Sequence, residues 1–368
     1  MKKILITGSE GFIAKNLITH LKRDEDKKLY LFNKNDSLDI LKAYVNEVDF
    51  IFHLAGVNRP TDIREFYEGN ANLTKIITDT LTQNKKSTPI LLSSSTQALK
   101  DNDYGKSKLE SENNLLNYME NTSAKVFIYR LPNVFGKWSK PNYNTVIATW
   151  CHNLTRDLEI QVNDENVELN LVYVDDIIKS FLEKLGSNDE SKYFEVDTLY
   201  TKTLGEIKDL LYAFKNNRDD LVIPNVASGF ERALYATYLS FLPTDKFSYP
   251  LNGHSDSRGT FYEIVKTKDS GQFSLSTTVP NIVRGSHYHH TKNEKFLVVK
   301  GEALIEFRHI LTDEVLSYEV SDKKMEVVEM IPGYTHNIKN TGNEEMLLFL
   351  WANEAFDQEN PDTYFEEV

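Results

Sequence analysis

Short apolar runs alternate with amphipathic stretches through the first half of the chain. Residues 3–7, 29–33, 49–53, 89–93 and 125–130 are dense in Ile, Leu, Val and Phe, and residues 12–22, 66–84 and 106–120 between them repeat apolar positions at helical spacing. Strands that are apolar on both faces, each followed by a helix, predict a parallel sheet covered on both sides. A further helix is expected over residues 203–214, capped by Thr203 and carried by Leu204, Ile207, Leu210 and Leu211. Near Leu242 the pattern changes. The stretch LPTDKFSYPLNGHSDSRG holds two prolines and two glycines and has no periodicity, which suits a domain boundary. Beyond it, short strand-like runs over 261–266, 272–278, 295–300, 303–308, 315–320, 326–331 and 346–350 are separated by turn residues, the pattern of an all-β sandwich or small barrel. The chain therefore reads as α/β plus all-β, with domains over residues 1–245 and 246–368.

Composition agrees with two cores: 368 residues exceed one domain of about 150 residues, and 40% are hydrophobic. A net charge of −13 with no Lys/Arg run disfavours a nucleic-acid partner. The lone cysteine, Cys151, excludes an internal disulfide, reads as a buried thiol and points to a reducing compartment. No apolar run reaches the ~20 residues that span a bilayer. The apolar start of MKKILITGSEGF is too short for a signal peptide and enters a glycine turn, so a cytoplasmic protein with no membrane insertion is expected.

Three elements of the first domain carry chemistry. Thr7-Gly8-Ser9-Glu10-Gly11-Phe12-Ile13-Ala14 joins the first strand to the first helix. Glycines there let backbone N–H groups at a helix N-terminus approach a pyrophosphate, the dinucleotide-binding arrangement of a Rossmann-type doubly wound sheet. The second strand ends in Asn33-Lys34 where an NAD-selecting enzyme usually places a carboxylate; an amide and a cation suit a 2′-phosphate, so NADPH is expected. Tyr104 and Lys108 lie four apart on one helix face, where the ammonium can lower the phenol's pKa and make it a proton donor. Ser93-Ser94-Ser95 closes a strand and offers a hydroxyl to a substrate carbonyl.

This constellation resembles the extended short-chain dehydrogenase/reductase family, and the likeness continues through His53-Leu54-Ala55-Gly56, Pro132-Asn133-Val134-Phe135-Gly136 and Tyr173-Val174-Asp175-Asp176. The resemblance implies a catalytic triad of Ser95, Tyr104 and Lys108, a cofactor site that includes Leu54 and Ala55, Asp39 and Ile40 beside the adenine, and Asn133 near the nicotinamide and sugar. Its usual substrates are nucleotide sugars. Members that dehydrate sugars carry Asp-Glu where this chain has Thr96-Gln97, which leaves simple reduction or oxidation.

In the second domain, Arg284-Gly285-Ser286-His287-Tyr288-His289 precedes Glu294, and His336 follows in Gly333-Tyr334-Thr335-His336. Histidines at i and i+2 on a strand share a face, and three His with one Glu suit a divalent transition metal. The spacing is similar to that of the cupin family, which implies a jelly-roll β-barrel with His287, His289, Glu294 and His336 as metal ligands. Asp256-Ser257-Arg258-Gly259 and Arg284-Gly285-Ser286-His287 also look like motifs of nucleotide-sugar 3,5-epimerases, implying substrate contacts from Arg258 and Arg284. There the histidine equivalent to His287 is the base; here it is read as a ligand, and Tyr334, which shares parity with His336, is the candidate for proton transfer.

The pairing, with the C-terminal Asp362-Thr363-Tyr364-Phe365-Glu366-Glu367-Val368, resembles a family of bifunctional capsular polysaccharide synthesis enzymes. That resemblance implies zinc, a homodimer, and a UDP-amino-sugar substrate epimerised at carbon 3 and reduced at carbon 4 on the way to UDP-N-acetyl-L-fucosamine. The rival reading is a reductase whose second domain only binds sugar or mediates dimerisation.

Overall fold

The five apolar runs form β1 (Lys2–Thr7), β2 (Lys27–Phe32), β3 (Phe50–His53), β4 (Ile90–Ser95) and β5 (Val126–Leu131) in a computed structural model that describes residues 1–190 and 192–368. The chain continues through β6 (Asn133–Phe135), β7 (Glu168–Tyr173), β8 (Tyr193–Phe194) and β9 (Tyr200–Thr203). Six strands pair in the order β2-β1-β3-β4-β5-β8, all parallel. Alternate residues of each strand enter opposite cores. Ile4, Ile6, Phe50 and Phe52 pack with the Phe12–Leu21 and Val174–Glu183 helices, while Leu5 and Ile51 pack with the Leu38–Glu47, Leu73–Gln83 and Asp103–Thr122 helices. Burial on both faces is why these strands read as unbroken apolar runs. The winding reverses between β1 and β3, and a ligand crevice forms outside the carboxyl ends of the strands at such a point.

The helix expected over 66–84 is not uniform: Arg64–Phe66 passes into a wide π-turn, Tyr67–Asn72, before Leu73–Gln83. Two side chains disturb the ladder there. Asn70 turns across to Val57, and Thr74 donates to the Asn70 carbonyl at 2.8 Å. A small three-stranded sheet, β6-β7-β9, lies apart from the main sheet. Thr203 caps the Leu204–Asn216 helix reciprocally: Glu206 N–H donates to its hydroxyl at 3.1 Å and its own N–H donates to the Glu206 carboxylate at 2.8 Å.

Contacts divide the chain into Met1–Leu211 with Arg232–Leu242, and Tyr212–Glu231 with Pro243–Val368. The second unit contains β10 (Val222–Ile223), β11 (Gly253–Asp256), β12 (Gly259–Thr267), β13 (Gln272–Thr278), β14 (Val283–Tyr288), β15 (Glu294–Lys300), β16 (Glu302–His309), β17 (Val315–Ser321), β18 (Val328–Met330), β19 (Tyr334–Asn340), β20 (Met346–Ala352) and β21 (Tyr364–Phe365). One sheet runs β10-β12-β13-β20-β15-β18 with β11 on β12, and the other runs β17-β16-β19-β14-β21. Phe296, Val298, Met330, Met346 and Leu348 from the first meet Ala303, Ile305, Phe307 and Ile338 from the second in one core. Among the described residues no helix is long and apolar enough to cross a membrane.

Candidate functional site

At the winding reversal, Gly8 has φ +67°, and a Cβ there would lie 2.7 Å from the Ala55 Cα. Only glycine permits the loop after β1 and the segment after β3 to approach this closely. Gly11 precedes the Phe12–Leu21 helix, and Phe12, Ile13 and Leu54 pack against the core beneath it. A chain of hydrogen bonds fixes this crevice. Ala55 N–H donates to the Thr7 hydroxyl at 3.2 Å, which lies 2.7 Å from His53 Nδ1, and His53 Nε2 lies 2.9 Å from the Thr74 hydroxyl. Because Thr74 spends its own proton on the Asn70 carbonyl, it accepts from Nε2–H, so Nδ1 accepts from Thr7. Asn70 continues to Ser107 at 2.9 Å, and Ser107 donates to the Tyr104 carbonyl at 2.8 Å. Burial drives the His53 pKa down to about 3, with Lys108 adding repulsion, which keeps the ring neutral. In the sequence His53 stands out only as part of a motif; its partners Thr7 and Thr74 are 46 and 21 residues away, and nothing local marks them.

Ser95 ends β4, and the Thr96–Leu99 turn leads the chain back so that Tyr104 reaches it. Asn102 caps the Asp103–Thr122 helix through Gly105 N–H at 2.8 Å, and a Cβ on Gly105 would lie 2.3 Å from the Gln97 carbonyl, so glycine lets helix and turn touch. Burial raises the Tyr104 pKa, opposed by its hydrogen bond with Ser95. This corrects the expectation that Lys108 lowers it. The Lys108 ammonium instead donates to the Ser93 carbonyl at 2.8 Å, and burial brings its pKa down to about 8.

The end of β2 differs from the expectation too. Asn33 bonds its own turn through Asn35 N–H at 2.9 Å, and the Asp36 carboxylate accepts from Asn33 N–H at 2.8 Å, so a carboxylate does return to this strand end beside exposed Lys34. Asp39 and Ile40 are exposed on the first turn of the next helix. Asn133 donates to the Asn170 carbonyl at 3.1 Å.

In the second unit, β14 and β19 pair with a bulge: Gly285 faces Asn337, and His287 faces His336 directly. The extra residue is Ser286, which with Gly285 has a positive φ. His289 lies one residue past β14, and Glu294 opens β15 of the opposite sheet. His287, His289, Glu294 and His336 bring one donor atom each within 4.8 Å of one another. Burial, with the neighbouring His336, lowers the His287 pKa to about 4. Burial would raise the Glu294 pKa, but the facing imidazoles and Lys292 outweigh it and hold the carboxylate ionised. Among the described residues, buried His289 Nε2 and both ring nitrogens of His336 have no hydrogen-bond partner. The Nε2 atoms of His289 and His336 stand 3.6 and 3.5 Å from a Glu294 oxygen, close to the ~3.4 Å between donors of a tetrahedral site with bonds near 2.1 Å. An anionic oxygen and unpartnered imidazole nitrogens fit a divalent metal. Tyr334 is not in this cluster; it packs edge-on to His309 and Phe307. Arg258 is turned onto Asp256 at 2.6 Å, whereas Arg284 keeps Nε and one Nη buried without a hydrogen-bond partner among the described residues, with Nη2 4.0 Å from an Asp256 oxygen.

Comparison with known proteins agrees with both halves. Residues 4–196 match the NAD dependent epimerase/dehydratase family, and residues 254–364 match the polysaccharide biosynthesis C-terminal domain. A Pseudomonas aeruginosa UDP-2-acetamido-2,6-beta-L-arabino-hexul-4-ose reductase is 48% identical over 363 residues, covering 98% of each chain. The crystal structure of the capsular polysaccharide assembling protein CapF from Staphylococcus aureus superposes with a TM-score of 0.91 at 49% identity, over 99% of this chain and 100% of that one. A Thermotoga maritima UDP-glucose 4-epimerase shares the fold alone, at 16% identity and a TM-score of 0.56 over 65% of this chain and 98% of that one. With an NAD(P)-binding parallel sheet in one unit and paired β-sheets in the other, the chain belongs to the NAD dependent epimerase/dehydratase family, as a CapF-like bifunctional capsular polysaccharide enzyme.

Proposed function

We propose that the second unit, a cupin jelly-roll barrel, epimerises carbon 3 of a UDP-2-acetamido-2,6-dideoxy-4-ketohexose, and that the first unit then reduces the 4-keto group towards UDP-N-acetyl-L-fucosamine. The chain works as a cytoplasmic homodimer. The observation that carries this reading is the pairing, in one chain, of a Ser95–Tyr104 hydroxyl pair above a parallel sheet with a buried His/Glu donor set whose nitrogens lack partners. The name of the P. aeruginosa relative supports the substrate class.

NADPH, held by the loop from Gly8 to Ile13, by Leu54, Ala55, Asp39 and Ile40, and at its 2′-phosphate by Asn33 and Lys34, supplies a hydride when bound. The protein does the rest. The Ser95 hydroxyl holds the carbonyl oxygen, and Tyr104 gives that oxygen a proton. Lys108, whose ammonium donates to the Ser93 carbonyl, braces the strand end that carries Ser95. Asn133 orients the sugar. In the second unit, His287, His289, Glu294 and His336 would hold zinc, which supplies Lewis acidity beside a carbonyl when bound. Arg284 and Arg258, both drawn to Asp256 in this structure, would turn to the substrate's phosphate oxygens. Tyr334, two residues from His336 on the same strand, would have to turn from His309 and Phe307 to move the carbon-3 proton.

Chemistry fixes the order of steps. Removing the proton at carbon 3 needs the adjacent carbonyl to hold the charge, and reduction at carbon 4 destroys that carbonyl. NMR of the 4-keto sugar with the full-length protein in D₂O, without cofactor, should show deuterium entering at carbon 3. His289→Ala should lose this exchange and still bind NADPH. Exchange that requires NADPH would overturn the division of labour.

A further inference from the structure

The C-terminal Asp362-Thr363-Tyr364-Phe365-Glu366 segment takes no part in the reactions above, yet it is fastened along the metal-ligand strand. β21 pairs with β14, setting Phe365 opposite His287 and Tyr364 opposite Tyr288. Glu366 N–H donates to the Ser286 carbonyl at 3.0 Å, at the bulge itself, and the Glu366 carbonyl accepts from the hydroxyl of Thr335, the neighbour of His336. Asp362 makes the densest contacts. Its carboxylate accepts from the backbone N–H groups of His290, Thr291 and Lys292 at 2.9, 2.7 and 2.8 Å, and from the Thr291 hydroxyl at 2.9 Å. Its backbone carbonyl accepts from His289 Nδ1.

The two ends of Asp362 thus do different jobs. The carbonyl takes the Nδ1 proton of His289, which leaves the lone pair on Nε2, the atom facing Glu294. The carboxylate ties down the three residues between His289 and Asn293, the link that carries the chain from one sheet to Glu294 on the other. We propose that Asp362 is a positioning residue of the metal centre: it fixes the tautomer and ring orientation of His289 and sets the spacing from His289 to Glu294 across the two sheets. The inference rests on the reading of the four side chains as a metal site.

The test uses the full-length chain loaded with zinc or with Co²⁺. In wild type, Co²⁺ should give the intense d–d bands of a low-symmetry site, and His289→Ala should weaken them; a wild-type chain that binds neither metal would overturn the metal-site reading itself. Given that binding, Asp362→Ala should release zinc to a chelator about 10–100-fold faster and shift the Co²⁺ bands, with NADPH affinity unchanged. Asp362→Asn keeps an acceptor oxygen and should recover most of the loss. Should the alanine variant fail to fold, the asparagine variant decides, with release a few-fold faster than wild type as the expected result. A folded Asp362→Ala protein, or Asp362→Asn where only that variant folds, with wild-type release and an unshifted Co²⁺ spectrum would overturn the proposal, even if its melting temperature fell.

Discussion

His53 and His336 are both buried imidazoles at the edge of a candidate site, and the protein serves them in opposite ways. Both ring nitrogens of His53 are bonded, to Thr7 and Thr74, and the network runs on to the helix that carries Tyr104. Among the described residues neither ring nitrogen of His336 has a hydrogen-bond partner; its Nε2 and that of His289 face the Glu294 carboxylate at 3.5 and 3.6 Å instead. A buried polar group without a partner costs about 1–3 kcal/mol, which an ion bound at this cluster would offset. The first site's histidine is spent on holding the crevice in shape. The second site's histidines keep their donor atoms within reach of one another and of Glu294.

The largest effect expected from this contrast is on turnover. Tyr104→Phe removes the proton donor without touching the His53 network, and should lower NADPH oxidation by roughly 10²–10⁴-fold with cofactor binding and carbon-3 exchange retained. Steady-state kinetics beside the D₂O assay check it; loss of both activities together would mean the units do not divide the chemistry.

Acid should separate the two histidine environments next. An unfolded histidine titrates near 6.5 and His53 near 3, so between these values the unfolded state binds more protons and stability falls as pH falls. The slope is about 1.4 kcal/mol per pH unit from this group. Urea unfolding of wild type and His53→Gln from pH 7 to pH 5 measures it: the variant should start less stable and lose stability more slowly.

The effect of zinc is the most selective. Zinc at about 100 times its dissociation constant should stabilise the second unit by about 2.7 kcal/mol and leave the first unit's transition in place. Calorimetry with zinc and then with chelator reads it. Two transitions that move together would erase the distinction drawn here.

The two regions also differ in how far the sequence exposes them. β1 to β5 are legible because burial on both faces makes each an apolar run, and residues 272–278 are legible because β13 alternates buried and partly exposed positions. The sheet β6-β7-β9 goes unread: β6 has three residues, and Glu168–Tyr173 mixes polar and apolar positions without a clear period. Gly8, Tyr104, Lys108 and the four His/Glu residues are visible because their chemistry sits at short spacings. Asp362 lies 73 residues from His289, and Asn70 is 37 from Ser107; contacts made only by folding leave no local mark. The direction of the Tyr104 pKa is hidden for the same reason, since burial, which spacing does not encode, outweighs the Ser95 hydrogen bond.

The bulge at Ser286 makes the second site exacting about the residues that form it. Gly285 and Ser286 both have a positive φ, and a Cβ on Gly285 would lie 2.8 Å from the His336 carbonyl oxygen, so bulky or β-branched residues there would strain the strand beside its ligands. Deleting Ser286 would let the Gly285–Asn337 and His287–His336 pairs follow one another as a regular ladder, removing the bulge and its local twist while every ligand residue remains in the chain. Lineages that drift in this fold should therefore keep glycine at 285 and, at 286, a residue that tolerates the left-handed region.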